Sequence, residues 1–427
     1  MMKKYFLLLV CCLATLPCWA GGFQVSLQGQ KQIGMSHVGA ALPIDGSAVY
    51  FNPGALSFVG GTHVNLGFSP IFANVQYLQP STGATSAKEF SVGTPFSAYI
   101  TSALAKEGAL SNLSVGIGVY TPFGSSIAYP EDWIGRFVTK SVSLKTIFIQ
   151  PTVSCKFLDN KLGIGVGVVY GTGDFKIVRA VPLYDAQGNE SEAELSGKGS
   201  GIGFNVGVYA QPIDKLGLGI TYRTGTKVSI KDGDASFSVP SVVSPLFNAN
   251  SFDLDVSLPS TLSIGISYFM NEAKTTFVSA QIDQTGWKSY KELRFVFPEG
   301  QTVGGEKELV STRNYQGNWM FRVGAQVAVN EKLQVRAGGY YDTSAIPDLD
   351  TEHNGIPEAY VTPETPDANR GGFSLGASYQ VTSKLGVDAS FMYVNGQERL
   401  TYNPEEQFEQ QYKATAVIPG IGINLKF

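Results

Sequence analysis

Large apolar residues recur at every second position in many short stretches of the chain. In 162–170, Leu162, Ile164, Val166, Val168 and Tyr170 alternate with Gly163, Gly165, Gly167 and Val169. In 216–223, Leu216, Leu218, Ile220 and Tyr222 alternate with Gly217, Gly219, Thr221 and Arg223. The same pattern holds in 262–268 and 373–379, again ending in Tyr268 and Tyr379. A period of two is the signature of strands with two different faces. Here one face is large and apolar, and the other is Gly, Ser, Thr or charged. There are too many such faces for one sandwich core, and no helical period offers to cover them. A transmembrane barrel accounts for both faces: the apolar one meets lipid, the terminal tyrosines sit at the interface, and the small polar one lines the lumen.

The connections alternate too. Short turns are predicted at 158–161, 212–215, 270–273, 329–332, 381–384 and near 106–112. Long polar loops are predicted near 79–92, 129–142, 180–198, 232–251, 298–311, 345–370 and 402–411. These connections join fourteen antiparallel strands, an all-β barrel with both ends on the short-turn, periplasmic side. The last strand ends in Phe427, an aromatic terminus that suits recognition by the outer-membrane barrel assembly machinery. The barrel is expected to be a monomer, surrounded by outer-membrane lipid or, once purified, detergent.

Composition sharpens this reading. Charged residues are 15% of the 427, against roughly 25% in soluble domains, with 49 Gly, 20 Tyr and 26 Phe. The mean hydropathy of +0.03 is too low for a bundle of spanning helices. A net charge of −4 argues against a nucleic-acid partner. Residues 1–20 read as a secretory signal: Lys3 and Lys4 precede the apolar run Tyr5–Leu16, and cleavage is expected after Ala20. Cys18 raises a lipoprotein reading, which Pro17 opposes by standing where a small residue is needed. Cys11, Cys12 and Cys18 fall in the signal, and Cys155 stands alone. No disulfide, metal or cofactor is expected.

Residues 21–60 precede the first convincing strand, near Thr62, and the barrel is assigned to 61–427. The segment is rich in Gly and poor in charge, unlike a disordered tail, and fourteen strands enclose more space than lining side chains fill. A plug inside the lumen is expected. Asn52-Pro53-Gly54 reads as a tight turn within it or at its floor, Pro lacking a donor and Gly tolerating positive φ. Several blocks then carry a resemblance: "GMSHVGAALPIDGSAVYFNPGAL", "GVYTPFGSSIAYPEDWIGRF", "LPSTLSIGISY", "WKSYKELRF", "AGGYYDTSAIPD" and "TPETPDANRGGFSLGASYQVTSKLGVD". Together they resemble the FadL/TodX family over nearly the whole mature chain. The resemblance implies a Gram-negative outer-membrane transporter of long-chain fatty acids or other hydrophobic compounds, such as aromatic hydrocarbons. Gly54 departs from the Ala usual in that family.

Within this frame Pro122, Phe123 and Gly124 interrupt the third strand. On the residues alone they read as a bulge near a loop. The resemblance implies a kink that opens the wall sideways, releasing ligand into the bilayer after a shift of the plug's start at Phe23–Val25. Lateral release spares a greasy ligand from water, where each CH₂ costs about 0.8 kcal/mol. Arg179, Lys176 and Lys307 stand near the family's head-group positions, where they would hold a carboxylate; the other reading is loop charges paired with Asp or Glu. Arg223 and Arg336, on the lumen face, are expected to pair with acids of the plug or wall. The apolar loop 237–252, with Phe247, reads as a packed lid or as a capture groove, and the family's long outer loops favour the groove. An enzyme is the alternative class, but His37, His63 and His353 have no nucleophile elbow beside them. A general diffusion porin is the other, and the plug and apolar loop argue against it.

Overall fold

The structure is a computed structural model that describes residues 21–105, 107–108 and 110–427. The expected signal segment, with Cys18, lies outside the described residues. Fourteen antiparallel strands form a closed barrel. They are β1 (Thr62–Phe68, resuming as Ile71–Gln79), β2 (Phe96–Ala103, preceded by Ala84–Ala87 and Val92–Gly93), β3 (Leu113–Tyr120, then Gly124–Ala128) and β4 (Ser141–Phe157). β5 (Leu162–Tyr184), β6 (Glu190–Ile213), β7 (Leu216–Arg223, then Thr226–Ser238) and β8 (Ser251–Leu258, then Thr261–Phe269) follow. Next come β9 (Phe277–Thr285, then Glu292–Val296), β10 (Glu308–Thr312, then Asn318–Ala328) and β11 (Leu333–Asp342). The last are β12 (Arg370–Gln380), β13 (Leu385–Gly396, then Arg399–Asn403) and β14 (Phe408–Lys426). β14 pairs with β1 from His63↔Lys426 to Phe68↔Ile421, which closes the cylinder. Thr62 and Phe427 exchange backbone hydrogen bonds at the seam. The predicted short turns hold, but two predicted long loops do not: 180–198 is strand on both sides of a turn at 185–189, and 402–411 is strand on both sides of a turn at 404–407, because these strands continue beyond the apolar band.

The outward face explains the period of two. Ile164, Val166, Val168 and Tyr170 on β5 are 42–46% exposed, as a lipid-facing band must be, while Gly163, Gly165, Gly167 and Val169 turn inward. β5 and β6 run for 23 and 24 residues, where about 9–11 suffice to span a bilayer. Their outer halves rise above the apolar band as a polar ribbon. There Lys176 pairs with Glu194 (2.8 Å), and Lys198 lies 3.9 Å from Asp174.

Residues 21–61 fill the lower lumen. Two short helical turns, α1 (Gln30–Ile33) and α2 (Ala48–Phe51), are followed by a 3₁₀ helix over Pro53–Phe58. Lumen-facing side chains satisfy the plug's backbone, as burial without water requires. Gln281 Oε1 accepts from the Gly39 and Ala40 amides (2.9 Å each), and Asn65 Oδ1 from Gly46 (2.9 Å). Gln150 donates to the Val49 carbonyl (2.6 Å), and Arg223 to the Tyr50 carbonyl (2.8 Å).

Asn52 caps the 3₁₀ helix by accepting from the Gly54 amide (2.9 Å), and it also donates to the Ala40 and Val208 carbonyls. The expected tight turn is therefore a capped helix start, with Pro53 in its first turn. Gly54 does not adopt positive φ. Its lack of a side chain serves close approach: a Cβ there would meet the Gly163 and Gly207 carbonyl oxygens at 2.6 Å each and the Tyr209 nitrogen at 2.9 Å. Lumen glycines on β5 and β6 thus receive the plug's backbone. Gly54→Val is expected to destabilise the folded barrel by about 1–3 kcal/mol, read as a lower midpoint in thermal, heat-modifiable gel migration. An unchanged midpoint would mean that this contact does not seat the plug.

Candidate functional site

β3 pairs with β2 up to Ser97↔Tyr120. The next steps of that register would set Phe96 against Thr121 and Pro95 against Pro122. Two prolines face each other with their backbone groups turned away from the seam, the Pro95 carbonyl accepting from Ser69 N–H (3.1 Å), and their rings fix φ where the strands part. At the last step the Phe96 amide donates to the Thr121 hydroxyl (3.2 Å) in place of its carbonyl. Beyond this point Gly124–Ala128 pairs with β4 alone. From there up to Ala128, whose carbonyl accepts from Glu89 N–H (2.8 Å), the wall between β2 and β3 is left without ladder bonds.

The start of the plug takes up the freed groups. Gly124 N–H donates to the Phe23 carbonyl (3.1 Å), and Val25 N–H donates to the Pro122 carbonyl (2.9 Å). Gln24 and Phe123 form an antiparallel bridge, and Gln28 donates to the Thr121 carbonyl (2.9 Å). Three plug residues thus act as a surrogate strand behind the interruption. The Phe23 ring anchors them edge-on to Trp287 (4.7 Å), Tyr290 (5.5 Å) and Phe123 (6.3 Å). Trp287 and Tyr290 reach it because β9 leaves the ladder between Thr285 and Glu292 and dips inward. Gly22 N–H is held by Asp367 Oδ1 (2.8 Å) in the β11–β12 loop.

Behind the interruption lies a cavity of about 250 Å³. Phe23, Val25 and Leu27 of the plug, Ile71 and Val75 of β1, and Ile127 of β3 give it an apolar lining. Its polar fringe includes Arg322, Arg370, Glu364 and Asp367, and it touches the β3 edge at Gly124 and Ser125.

The structure brings together Phe23, Val25, Phe123 and Gly124, with Pro122 at the same break. It does not bring the three expected head-group cations to the cavity. Lys176 lies on the outward face of β5, on the parity of Ile164 and Tyr170, and is paired with Glu194. Arg179 is half-buried higher on β5, where its charge acts on Glu406. Lys307 is exposed in the β9–β10 loop. Arg223 and Arg336 were expected to pair with acids, and they do not. Arg223 binds the Tyr50 carbonyl and the Tyr120 hydroxyl (2.6 Å), and Arg336 binds Gln326 and Ser378 (2.7 Å each). Neutral oxygens suffice because each guanidinium offers five donors to a crowded polar lumen.

Asn52, Pro53 and Gly54 lie deep in the plug, away from the cavity. Phe247 stacks obliquely on Phe237 (5.8 Å) and bridges Val303 of the next loop. Beside it Val242 is 85% and Leu246 50% exposed, so the β7–β8 loop presents apolar surface to the outside. Pro95 is a site residue that the sequence reading missed; the proline itself was visible, but its position opposite Pro122 needs the register. The roles of Trp287 and Asp367 likewise depend on inward excursions with no sequence signature.

The family model described as outer membrane protein transport protein (OMPP1/FadL/TodX) matches residues 10–427. The chain is 23% identical over 436 residues to a 47 kDa outer membrane protein of Pasteurella multocida, covering 96% of this chain and 94% of that one. It is 20% identical over 447 residues to the long-chain fatty acid transport protein of Escherichia coli K12, covering 94% of each. A FadL homologue of Pseudomonas aeruginosa has a similar fold, with a TM-score of 0.78 at 17% identity over 95% of this chain and all of that one. The toluene transporter TodX of Pseudomonas putida gives 0.69 at 15% identity over 95% and 99%.

Proposed function

We propose that this chain, which belongs to the OMPP1/FadL/TodX family of outer-membrane transport proteins, is a monomeric channel for passive uptake of hydrophobic compounds, with lateral exit through the wall. The observation that carries the reading is the break in β3, stoppered from inside by plug residues 23–25 and backed by an apolar cavity. An unpaired backbone cannot face lipid, so a strand edge satisfied by a short removable segment makes a natural door. Ligand is captured on the exposed apolar surface of the β7–β8 loop, enters the cavity, and leaves between β2 and β3 when the plug's start shifts. The printed functions of the relatives, long-chain fatty acid and toluene transport, favour a greasy substrate.

Two measurements on the same preparation test this. In planar bilayers the protein is expected to pass almost no steady ionic current, because the plug fills the lumen. In cells lacking their own channel of this class, its expression is expected to raise uptake of a hydrophobic dye such as N-phenylnaphthylamine. Large steady currents without dye uptake would make it a diffusion porin instead.

A further inference from the structure

We infer that the cavity takes a neutral hydrophobe in preference to one carrying a carboxylate. This rests on the channel reading above and narrows its substrate class. The argument is the charge around the cavity. Two guanidiniums lie in its lining, and each is already paired with a buried acid. Arg322 donates through Nε to Asp283 (2.7 Å), through Nη1 to the Ser36 carbonyl (2.7 Å) and through Nη2 to the Ser26 hydroxyl (3.0 Å). Arg370 donates through Nε to Asp342 (3.0 Å), and its Nη2 lies 3.4 Å from the Gly21 carbonyl. Two carboxylates also lie in the lining. Glu364 holds the buried Arg313. Asp367 is surrounded by donors: Gly22 N–H, the Ser344 hydroxyl (2.6 Å), Ala345 N–H (2.8 Å) and Ile346 N–H (3.1 Å).

With their partners included, Arg313, Arg322, Arg370 and Arg399 stand against Asp283, Asp342, Asp348, Glu364 and Asp367. The fringe is balanced to slightly negative before any ligand arrives. A ligand carboxylate, with an ordinary pKa near 4–5, would be ionised at neutral pH. It would have to desolvate beside Glu364 and Asp367 and share a guanidinium whose charge is already balanced by a buried acid. Both steps oppose binding. An ester or hydrocarbon meets the same apolar walls without either cost. The candidate cations Arg179, Lys176 and Lys307 do not change this, since none belongs to the lining.

The test is displacement of bound N-phenylnaphthylamine from purified protein by a matched pair, methyl dodecanoate and dodecanoate, at neutral pH. The ester is expected to displace the dye at about a tenfold lower concentration than the acid, the order expected for an uncompensated charge in a poorly hydrated site. Equal potency, or a more potent acid, overturns the inference while leaving the channel reading intact. Failure of the dye to bind or enter cells at all overturns the channel reading itself. Glu364→Gln supplies the second arm, since it releases Arg313 from its acid. The ratio of acid to ester potency is expected to shift toward the acid by several-fold. An unchanged ratio in a barrel that keeps its heat-modifiable migration would show that charge balance does not set the preference.

Discussion

Replacing Pro95 and Pro122 with Val and Gly124 with Ala is expected to cut uptake of N-phenylnaphthylamine by roughly thirtyfold or more. With their rings removed, β2 and β3 can carry the register past Ser97↔Tyr120, so that Phe96 with Thr121 and Thr94 with Phe123 regain ladder bonds. Three further ladder bonds at a net 0.5–1.5 kcal/mol each would add about 2–4 kcal/mol to the cost of parting the strands, and about 1.4 kcal/mol is a factor of ten. Within lipid the bonds hold more firmly, because water offers no replacement partners. The variant has room to fold: a Cβ at Gly124 meets only the Leu144 carbonyl oxygen at 3.3 Å and a Val25 methyl at 3.9 Å. Dye binding to purified protein is expected to survive, since the only lining residue changed is Gly124, which gains a single methyl group at the cavity's edge. Parental uptake in the straightened variant would send the ligand by another path, and the plug would then have to open downward.

Pairing Pro95 with Pro122 also shows where sequence reading runs out. The barrel strands are legible because lipid enforces one large apolar residue at every second outward position, and nothing in the fold overrides that demand. Loops are legible because they leave the lipid. The same parity, carried upward from Ile164 through Tyr170, would have turned Lys176 outward; the strand outlasts the membrane, so its alternation continues after its apolar signal stops. The outer segments Glu292–Val296 and Thr226–Ser238 are less legible for that reason, having no lipid face to pattern them. The plug offers no period at all. Its short helical turns are held by lumen side chains such as Gln281 and Asn65, contacts far apart in sequence. Pro122 and Gly124 announce a break in β3 locally, but what fills the break is decided by residues 23–25, almost a hundred positions away. At Gly54 the sequence suggests a positive φ, whereas the structure needs the missing side chain for close contact with Gly163 and Gly207.

Phe23→Ala is expected to act in the opposite sense, leaving the door ajar. Two backbone hydrogen bonds tie the plug's start to β3, at a net 0.5–1.5 kcal/mol each. The buried Phe23 ring, edge-on to Trp287, Tyr290 and Phe123, is the stronger anchor, since truncating a core Phe to Ala costs about 3–5 kcal/mol. If most of that loss falls on the seated state of the tail, the unseated fraction rises by roughly two decades or more. Flickering ionic currents in planar bilayers, absent from the parent, are the expected readout, together with faster dye entry into cells. A quiet channel with reduced dye binding would instead make Phe23 a wall of the pocket and not a latch. The combination of Phe23→Ala with the straightened β3 separates these roles. An unseated tail cannot admit ligand to the bilayer through a seam that is fully paired, so the combined variant is expected to take up dye as slowly as the straightened one alone. Restored uptake in the combination would place the exit somewhere other than between β2 and β3.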